Sequence, residues 1–213
     1  MTALIGKKFE DSVLIMADKR VSYRGTSTFR DDEKKIMVLN PNVIFAFAGV
    51  KNIIDMAIQD LSTFSGKTMS LAAIEEYSQE VFGRSLKKFK AAHPAEDYAT
   101  VYLLAGFERD GMPRVMYFSS DDEFQKGHPL DFFYKTFPNT EMKYLRNYLE
   151  NHVDTSKKNL KYYLKRFSSA IRQINSEKVS RNAYAIFLSK NGLFEIEIDQ
   201  HGKFKIHPFD LIY

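Results

Sequence analysis

Residues 1–20 read MTALIGKKFEDSVLIMADKR, and this stretch decides the fold. Apolar runs at 2–8 and 12–18, separated by the polar turn Phe9-Glu10-Asp11, predict two β-strands joined in a tight hairpin. Residue numbers in an antiparallel pair add up to a constant, so a turn centred on Glu10 predicts a sum of about 20. Thr2 is then expected to face Asp18 across the hairpin.

A second hairpin is predicted from KIMVLN (35–40) and VIFAFAG (43–49), which turn at Asn40-Pro41-Asn42. Its partners are expected to add up to about 82, which puts Lys35 near Phe47 and Gly49. The hairpin ends opposite the turns hold four residues of chemical interest, namely Thr2, Asp18, Lys35 and Gly49. If the two hairpins lie side by side in one sheet, these four residues share an edge.

The remaining chain alternates blocks of helices with blocks of strands. Helices are predicted at 51–64, 70–92, 140–152 and 156–175, further strands at 98–107, 114–119, 183–189 and 193–199, and irregular structure at 121–138. Such segregated blocks favour an α+β fold in which helices cover the outer faces of two stacked, mostly antiparallel sheets. Neither a linker nor an internal repeat divides the chain, so residues 1–213 are predicted to form one domain.

Composition narrows the class of protein. With 213 residues, 44% hydrophobic and 27% charged, the chain is typical of a soluble globular protein. Apolar runs fall short of the ~20 residues that a membrane helix needs, and charges at Lys7, Lys8, Glu10 and Asp11 argue against a signal peptide. The lack of cysteine excludes disulfides, thiolate metal sites and cysteine catalysis. These features together predict a cytoplasmic protein.

The segment from Lys157 to Arg181 carries eight basic residues against the single acid Glu177. A basic helix of this kind fits nucleic acid or an acidic partner. However, Leu160, Leu164, Phe167 and Ile171 recur at helical spacing, which favours a buried stripe with the lysines on a solvated face. Nucleic-acid binding is therefore the weaker interpretation.

The four residues at the predicted edge suit nucleophilic catalysis. A threonine hydroxyl needs an adjacent base, and once Met1 is removed the α-amine of Thr2 has a suitable pKa of about 8. Lys35 would keep that amine neutral, and Asp18 would fix the position of Lys35. The N–H of Gly49 would bind the oxyanion of a tetrahedral intermediate.

This pattern resembles the β-type subunits of the proteasome and the bacterial relative HslV, within the N-terminal nucleophile (Ntn) hydrolases. The resemblance rests on Thr2 itself, on MADKRVS with Asp18, on KKI with Lys35, and on FAFAGV with Gly49. The spacing to the lysine requires one inserted residue, so Lys34 stays a second candidate. The resemblance implies a four-layer αββα sandwich, assembly into rings, and amide-bond hydrolysis by the terminal threonine.

The later segments depart from the pattern of active proteasome subunits, which carry a glycine-serine turn before the third helix and an aspartate with a nearby serine before the late strands. Thr136 or Thr140 stands near the first serine, and Ser180 near the second. Asn175 stands where the aspartate is expected, and an asparagine carries no charge.

We therefore predict a threonine-type endopeptidase that acts on peptide or protein substrates as a homo-oligomeric ring. It would need no cofactor and no metal, because its five histidines lack ligand spacing. The sequence predicts no membrane partner, disfavours nucleic acid and identifies no separate unfoldase. The alternative is a non-catalytic, proteasome-like scaffold or binding protein that oligomerises.

Overall fold

The computed structural model describes residues 2–22, 28–64, 69–137, 139–174, 177 and 179–209. In chain order the elements are β1 (Thr2–Lys8), β2 (Ser12–Asp18), β3 (Val21–Ser22), β4 (Phe29–Arg30), β5 (Ile36–Asn40), β6 (Val43–Gly49), α1 (Lys51–Phe64), α2 (Leu71–Ala92), β7 (Thr100–Phe107), β8 (Pro113–Ser119), β9 (His128–Pro129), β10 (Phe132–Phe137), α3 (Met142–His152), α4 (Leu160–Gln173), β11 (Ala183–Ser189), β12 (Gly192–Ile198) and β13 (Phe204–Pro208). Within these ranges, no helix is long and apolar enough to cross a bilayer.

Two antiparallel sheets form the centre of the molecule. One has six strands in the order β10-β1-β2-β11-β12-β13, and the other has five in the order β5-β6-β7-β8-β9. One apolar cluster fills the space between the sheets. A second joins α1 and α2 to the five-stranded sheet, and a third joins α3 and α4 to the six-stranded sheet. The predicted αββα sandwich is confirmed.

Strand β1 shows why the opening sequence decides this arrangement. Successive side chains of a strand point to opposite faces. Ala3 and Ile5 therefore pack towards α3 and α4, whereas Leu4 packs between the sheets. Because both faces are covered, residues 3–6 of the strand are continuously apolar rather than alternating with polar residues.

The register of the first hairpin differs from the prediction by one residue. Leu4 lies opposite Ala17, so partners add up to 21 rather than 20. The Phe9 N–H donates to the Ser12 carbonyl at 2.8 Å, which closes a two-residue loop centred between Glu10 and Asp11. The expected pairing of Thr2 with Asp18 is therefore wrong.

The second hairpin keeps the predicted register at its open end, where Ile36 lies opposite Ala46 and the Phe47 N–H donates to the Lys35 carbonyl at 3.1 Å. A shift between Val38 and Asn40 absorbs one residue beside the turn. The expectation that both hairpins lie side by side in one sheet is wrong. They lie in different sheets, and their open ends meet across the sandwich.

The segment predicted as irregular at 121–138 contains β9 and β10, and β13 follows the last predicted strand. Strand β10 pairs with β1, from Thr2 opposite Phe137 to Lys7 opposite Phe132. Its partner lies more than a hundred residues away, so local sequence pattern carried little signal. The Ser65-Gly66 pair, whose residue types suit a helix end, lies outside the described residues. Ser70 caps the start of α2, with its Oγ accepting from the Ala73 N–H at 3.3 Å.

Candidate active site

The Asp18 carboxylate is the centre of the candidate site. It ends β2 and is fully buried, although Asp18-Lys19-Arg20 taken alone is typical of a solvated strand end. Oδ1 accepts from the Ala3 N–H at 2.7 Å and from Lys35 Nζ at 2.8 Å. Oδ2 accepts from the Arg20 N–H at 2.9 Å and the Ser180 N–H at 3.3 Å. Four donors thus compensate the lost hydration of this carboxylate.

Lys35 lies just before β5 and brings its ammonium group from the other sheet to Asp18. The side chain is only 3% exposed. Burial lowers the pKa of Lys35 below its usual value, and the charge and hydrogen bond of Asp18 oppose that shift. The Asp18 carboxylate thus holds Lys35 Nζ in place, and Lys35 also lines a cavity.

Thr2, Lys35 and Gly49 line the same cavity of about 640 Å³. Thr2 starts β1 and is 5% exposed. The cavity also contacts Phe47 and the first turn of α1. It therefore offers a substrate-sized space against the predicted nucleophile and lysine.

Gly49 ends β6 in a conformation that only glycine tolerates at this place. Its φ is +122°, and a Cβ atom would lie 2.3 Å from the Ala99 carbonyl oxygen and 2.6 Å from Thr100 Cα. The next amide, Val50 N–H, donates to Thr100 Oγ1 at 3.2 Å and is already engaged. Close approach of the β6 and β7 backbones thus fixes the main chain at the cavity wall.

The other predicted site residues lie in different surroundings. Lys34 points away, because its Nζ pairs with Glu195 at 2.8 Å and lies over the Tyr184 ring. Ser180 lies behind Asp18, and its Oγ accepts from the Asn182 N–H at 3.1 Å. Asn175 lies outside the described residues.

The two threonines near the expected glycine-serine turn differ in burial. Thr136 is fully buried opposite Ala3, whereas Thr140 is exposed. Only Thr136 therefore lies beside the strand that carries Thr2.

Sequence reasoning missed an ion pair beside the cluster. Arg20 donates through Nε and Nη2 to the two carboxylate oxygens of Asp31, each at 2.7 Å, and its guanidinium lies 3.7 Å from the Phe29 ring centre. The Arg20 guanidinium lowers the pKa of Asp31. Since the Arg20 backbone also binds Asp18, this pair anchors the loop that leaves β2. Two adjacent charges in Lys19-Arg20 gave no signal that one of them is buried.

Within the described part of the chain, no group of three or more histidine, aspartate or glutamate side chains is placed to hold a metal ion. The chemistry available here is that of a hydroxyl, an ammonium group, a carboxylate and backbone amides. This set suits attack on a carbonyl carbon.

The chain matches a protein-family model. The family model described as "Proteasome subunit" matches residues 2–182, which include Thr2, Asp18, Lys35, Gly49 and Ser180. A search of curated proteins finds no match. The matched region covers most of the chain and all the strands that build the site, so this protein belongs to the proteasome subunit family, a family of Ntn-hydrolase fold.

Proposed function

We propose that this protein is an N-terminal threonine hydrolase that cleaves peptide bonds, with Thr2 as the nucleophile after removal of Met1. The observation that carries the proposal is the buried Lys35–Asp18 pair beside a cavity that Thr2 and Gly49 also line. A fully buried ion pair is a weak source of stability, which favours a chemical reason for its presence.

The proposed reaction begins when the α-amine of Thr2 takes the proton of its own hydroxyl. Oγ then attacks the scissile carbonyl carbon, and the N–H of Gly49 donates to the resulting oxyanion. Collapse breaks the C–N bond, and the amine returns its proton to the leaving nitrogen. Water, activated by the same amine, then attacks the ester and releases the second product.

Lys35 and Asp18 act as a unit in this scheme. A positive charge near the α-amine disfavours its protonation, so the amine stays available as a base near neutral pH. Asp18 holds the ammonium group in place through the 2.8 Å contact. Because Asp18 also accepts from the Ala3 N–H, it fixes Lys35 and the first peptide of β1 together.

We also propose that residues 1–213 act as one domain and that copies assemble into rings. Membership of the proteasome subunit family supports assembly, and the pairing of β11 with β2 ties the late strands to the site. A cytoplasmic location stays a prediction.

The test is the intact mass of the purified protein before and after incubation with a threonine-reactive epoxyketone. The wild type should lack methionine and gain the mass of one inhibitor. Thr2→Ala should show no adduct and no peptidase activity, because the nucleophile is gone. Thr140→Ala, which removes an exposed threonine, is the control and should react like the wild type.

The second candidate is a non-catalytic scaffold. It is favoured by Asn175, which stands where active members carry an aspartate. A preparation that retains Met1, forms oligomers and gains no inhibitor mass would establish this alternative and reject the hydrolase.

A further inference from the structure

Helix α4 carries four cationic residues and no acidic one. Its buried face, with Tyr163, Leu164 and Phe167, packs on the six-stranded sheet, so the predicted apolar stripe is confirmed. The proposed peptidase makes no use of the cationic side of this helix. The residues that line the cavity at Thr2 come from other elements than α4.

A pocket of about 460 Å³ lies between α4 and the turn that joins β12 to β13. Lys165, Ser169 and Arg172 line it from the helix, and His201 and Gly202 line it from the turn. Positions 165, 169 and 172 lie on one helical face because they are four and three residues apart. The pocket therefore gathers cationic and hydroxyl groups around one space.

Arg172 is the most informative member of this pocket. Its Nη2 donates to Ser169 Oγ at 3.0 Å. Its Nη1 is buried, and none of the described residues accepts a hydrogen bond from it. A guanidinium is always charged, so a buried donor without an acceptor is unfavourable. The geometry thus lacks an acceptor at Nη1.

The turn between β12 and β13 packs closely against the Arg172 guanidinium. Gly202 has φ +80°, and a Cβ atom there would lie 2.5 Å from Arg172 Nη1. Any other residue at this position would displace the guanidinium. Gly202 therefore allows Arg172 to lie flat against the turn beside the open pocket.

Neighbouring charges do not neutralise the pocket. Asp199 is committed to the turn, since its Oδ1 accepts from the N–H groups of His201 and Lys203, each at 2.9 Å. Among the described residues, neither Lys165 nor Arg172 has a carboxylate within 4.0 Å. The pocket therefore carries a positive charge that a bound anion would neutralise.

We propose that this pocket, termed here the α4 pocket, binds the phosphate group of a small molecule. A phosphate dianion offers several acceptor oxygens, which matches the Arg172 guanidinium, the Lys165 ammonium and the His201 ring better than a single carboxylate does. The α4 pocket shares no residue with the cavity at Thr2, so the proposal does not depend on peptidase activity.

Isothermal titration with inorganic phosphate, and separately with glycerol phosphate, tests this on the full chain at constant ionic strength. We expect saturable binding, and Arg172→Gln and Lys165→Gln should each weaken it about tenfold or more. Lys161→Gln is the matched control, because it removes the same charge from an exposed position of α4 outside the pocket. It should change affinity less than about twofold.

Two results would overturn the proposal. One is phosphate binding that is absent, or equal in Arg172→Gln and wild type, when thermal unfolding shows both to be folded. The other is tight, salt-sensitive binding of single-stranded RNA that Lys161→Gln weakens as much as Arg172→Gln, since this would assign the helix to polyanion binding.

Discussion

The Asp18 cluster and the α4 pocket are both built from charged side chains, yet they are completed in different ways. Around Asp18, a carboxylate, an ammonium group and three backbone N–H groups satisfy one another inside the protein. In the α4 pocket, cations gather on one helix, and a buried guanidinium nitrogen has no acceptor among the described residues. Folding supplies all four donors to the Asp18 carboxylate, whereas the α4 pocket lacks an anionic partner among the described residues.

The origin of the residues differs as well. The Asp18 cluster combines residues 2–3, 18–20, 35 and 180, which come from distant parts of the chain. The α4 pocket takes most of its groups from two turns of a single helix. Removing one partner should therefore lower the free energy of unfolding strongly in the Asp18 cluster and only slightly in the α4 pocket.

The largest expected effect is at Lys35. Lys35→Met leaves the Asp18 carboxylate fully buried without its cation, so we expect the free energy of unfolding to fall by about 3–5 kcal/mol and the proposed peptidase activity to be lost. Lys34→Met is the matched control: its ion pair with Glu195 is half exposed, so it should cost about 0–1 kcal/mol. Urea unfolding measures both, and equal effects of the two substitutions would show that the buried Lys35–Asp18 pair contributes no more than the exposed Lys34–Glu195 pair.

The next largest effect is at Gly49, where comparison with Gly192 distinguishes a steric clash from the cost of positive φ. Gly49→Ala and Gly192→Ala both place a side chain at positive φ, which costs about 1–3 kcal/mol. At Gly192 the new Cβ meets only Phe194, at 4.0 Å, whereas at Gly49 it would clash with the main chain. Gly49→Ala should therefore destabilise the protein more than Gly192→Ala in urea unfolding. A smaller loss at Gly49 would show that the β6–β7 contact is not rigid.

A smaller effect concerns substrate charge and rests on the proposed peptidase. The cavity at Thr2 is also lined by four acids, namely Glu33, Asp55, Glu96 and Asp97. Lys51 binds two of them, Glu33 at 3.0 Å and Asp55 at 2.9 Å. Lys51→Gln should raise the kcat/KM ratio of peptides with arginine over glutamate before the scissile bond by about fivefold. Lys34→Gln should leave the ratio unchanged, and a ratio that falls in Lys51→Gln would contradict the charge argument.

The smallest expected effect is at Lys165, where substitution should stabilise the protein rather than destabilise it. Lys161 and Lys165 are like charges four residues apart on α4, so Lys165→Gln should raise the free energy of unfolding by about 0.2–0.5 kcal/mol at low salt. The gain should disappear at high salt because the charges are exposed to solvent. Destabilisation by Lys165→Gln would indicate an internal partner for this lysine.

Much of the fold followed from local pattern. The spans of β1, β2 and α1 match the prediction, because their apolar periodicity is strong and their turns are short. The register of the first hairpin did not follow, since the difference between a two-residue and a three-residue turn shifts every pair by one. Strand β10 was missed because its identity as a strand depends on pairing with β1.

For the candidate site, the sequence predicted that four residues lie near one another but not how the fold brings them together. Spacing brought Thr2, Asp18, Lys35 and Gly49 together, although by stacking of two sheets rather than along one edge. The choice between Lys34 and Lys35 depended on which side chain faces the sandwich interior, and a run of two lysines does not carry that information. The Arg20–Asp31 pair was missed for the same reason.

The assembly of the Asp18 cluster from distant parts of the chain also has a consequence for biosynthesis. Residues 2–49 leave the ribosome early, but the Ser180 N–H donor to Asp18 and the strand β11 that pairs with β2 are synthesised more than a hundred residues later. Lys35, moreover, reaches Asp18 only when the second sheet docks. A chain still being translated therefore carries Thr2 without its complete surroundings, so the proposed hydrolysis would begin only after nearly the whole fold has formed.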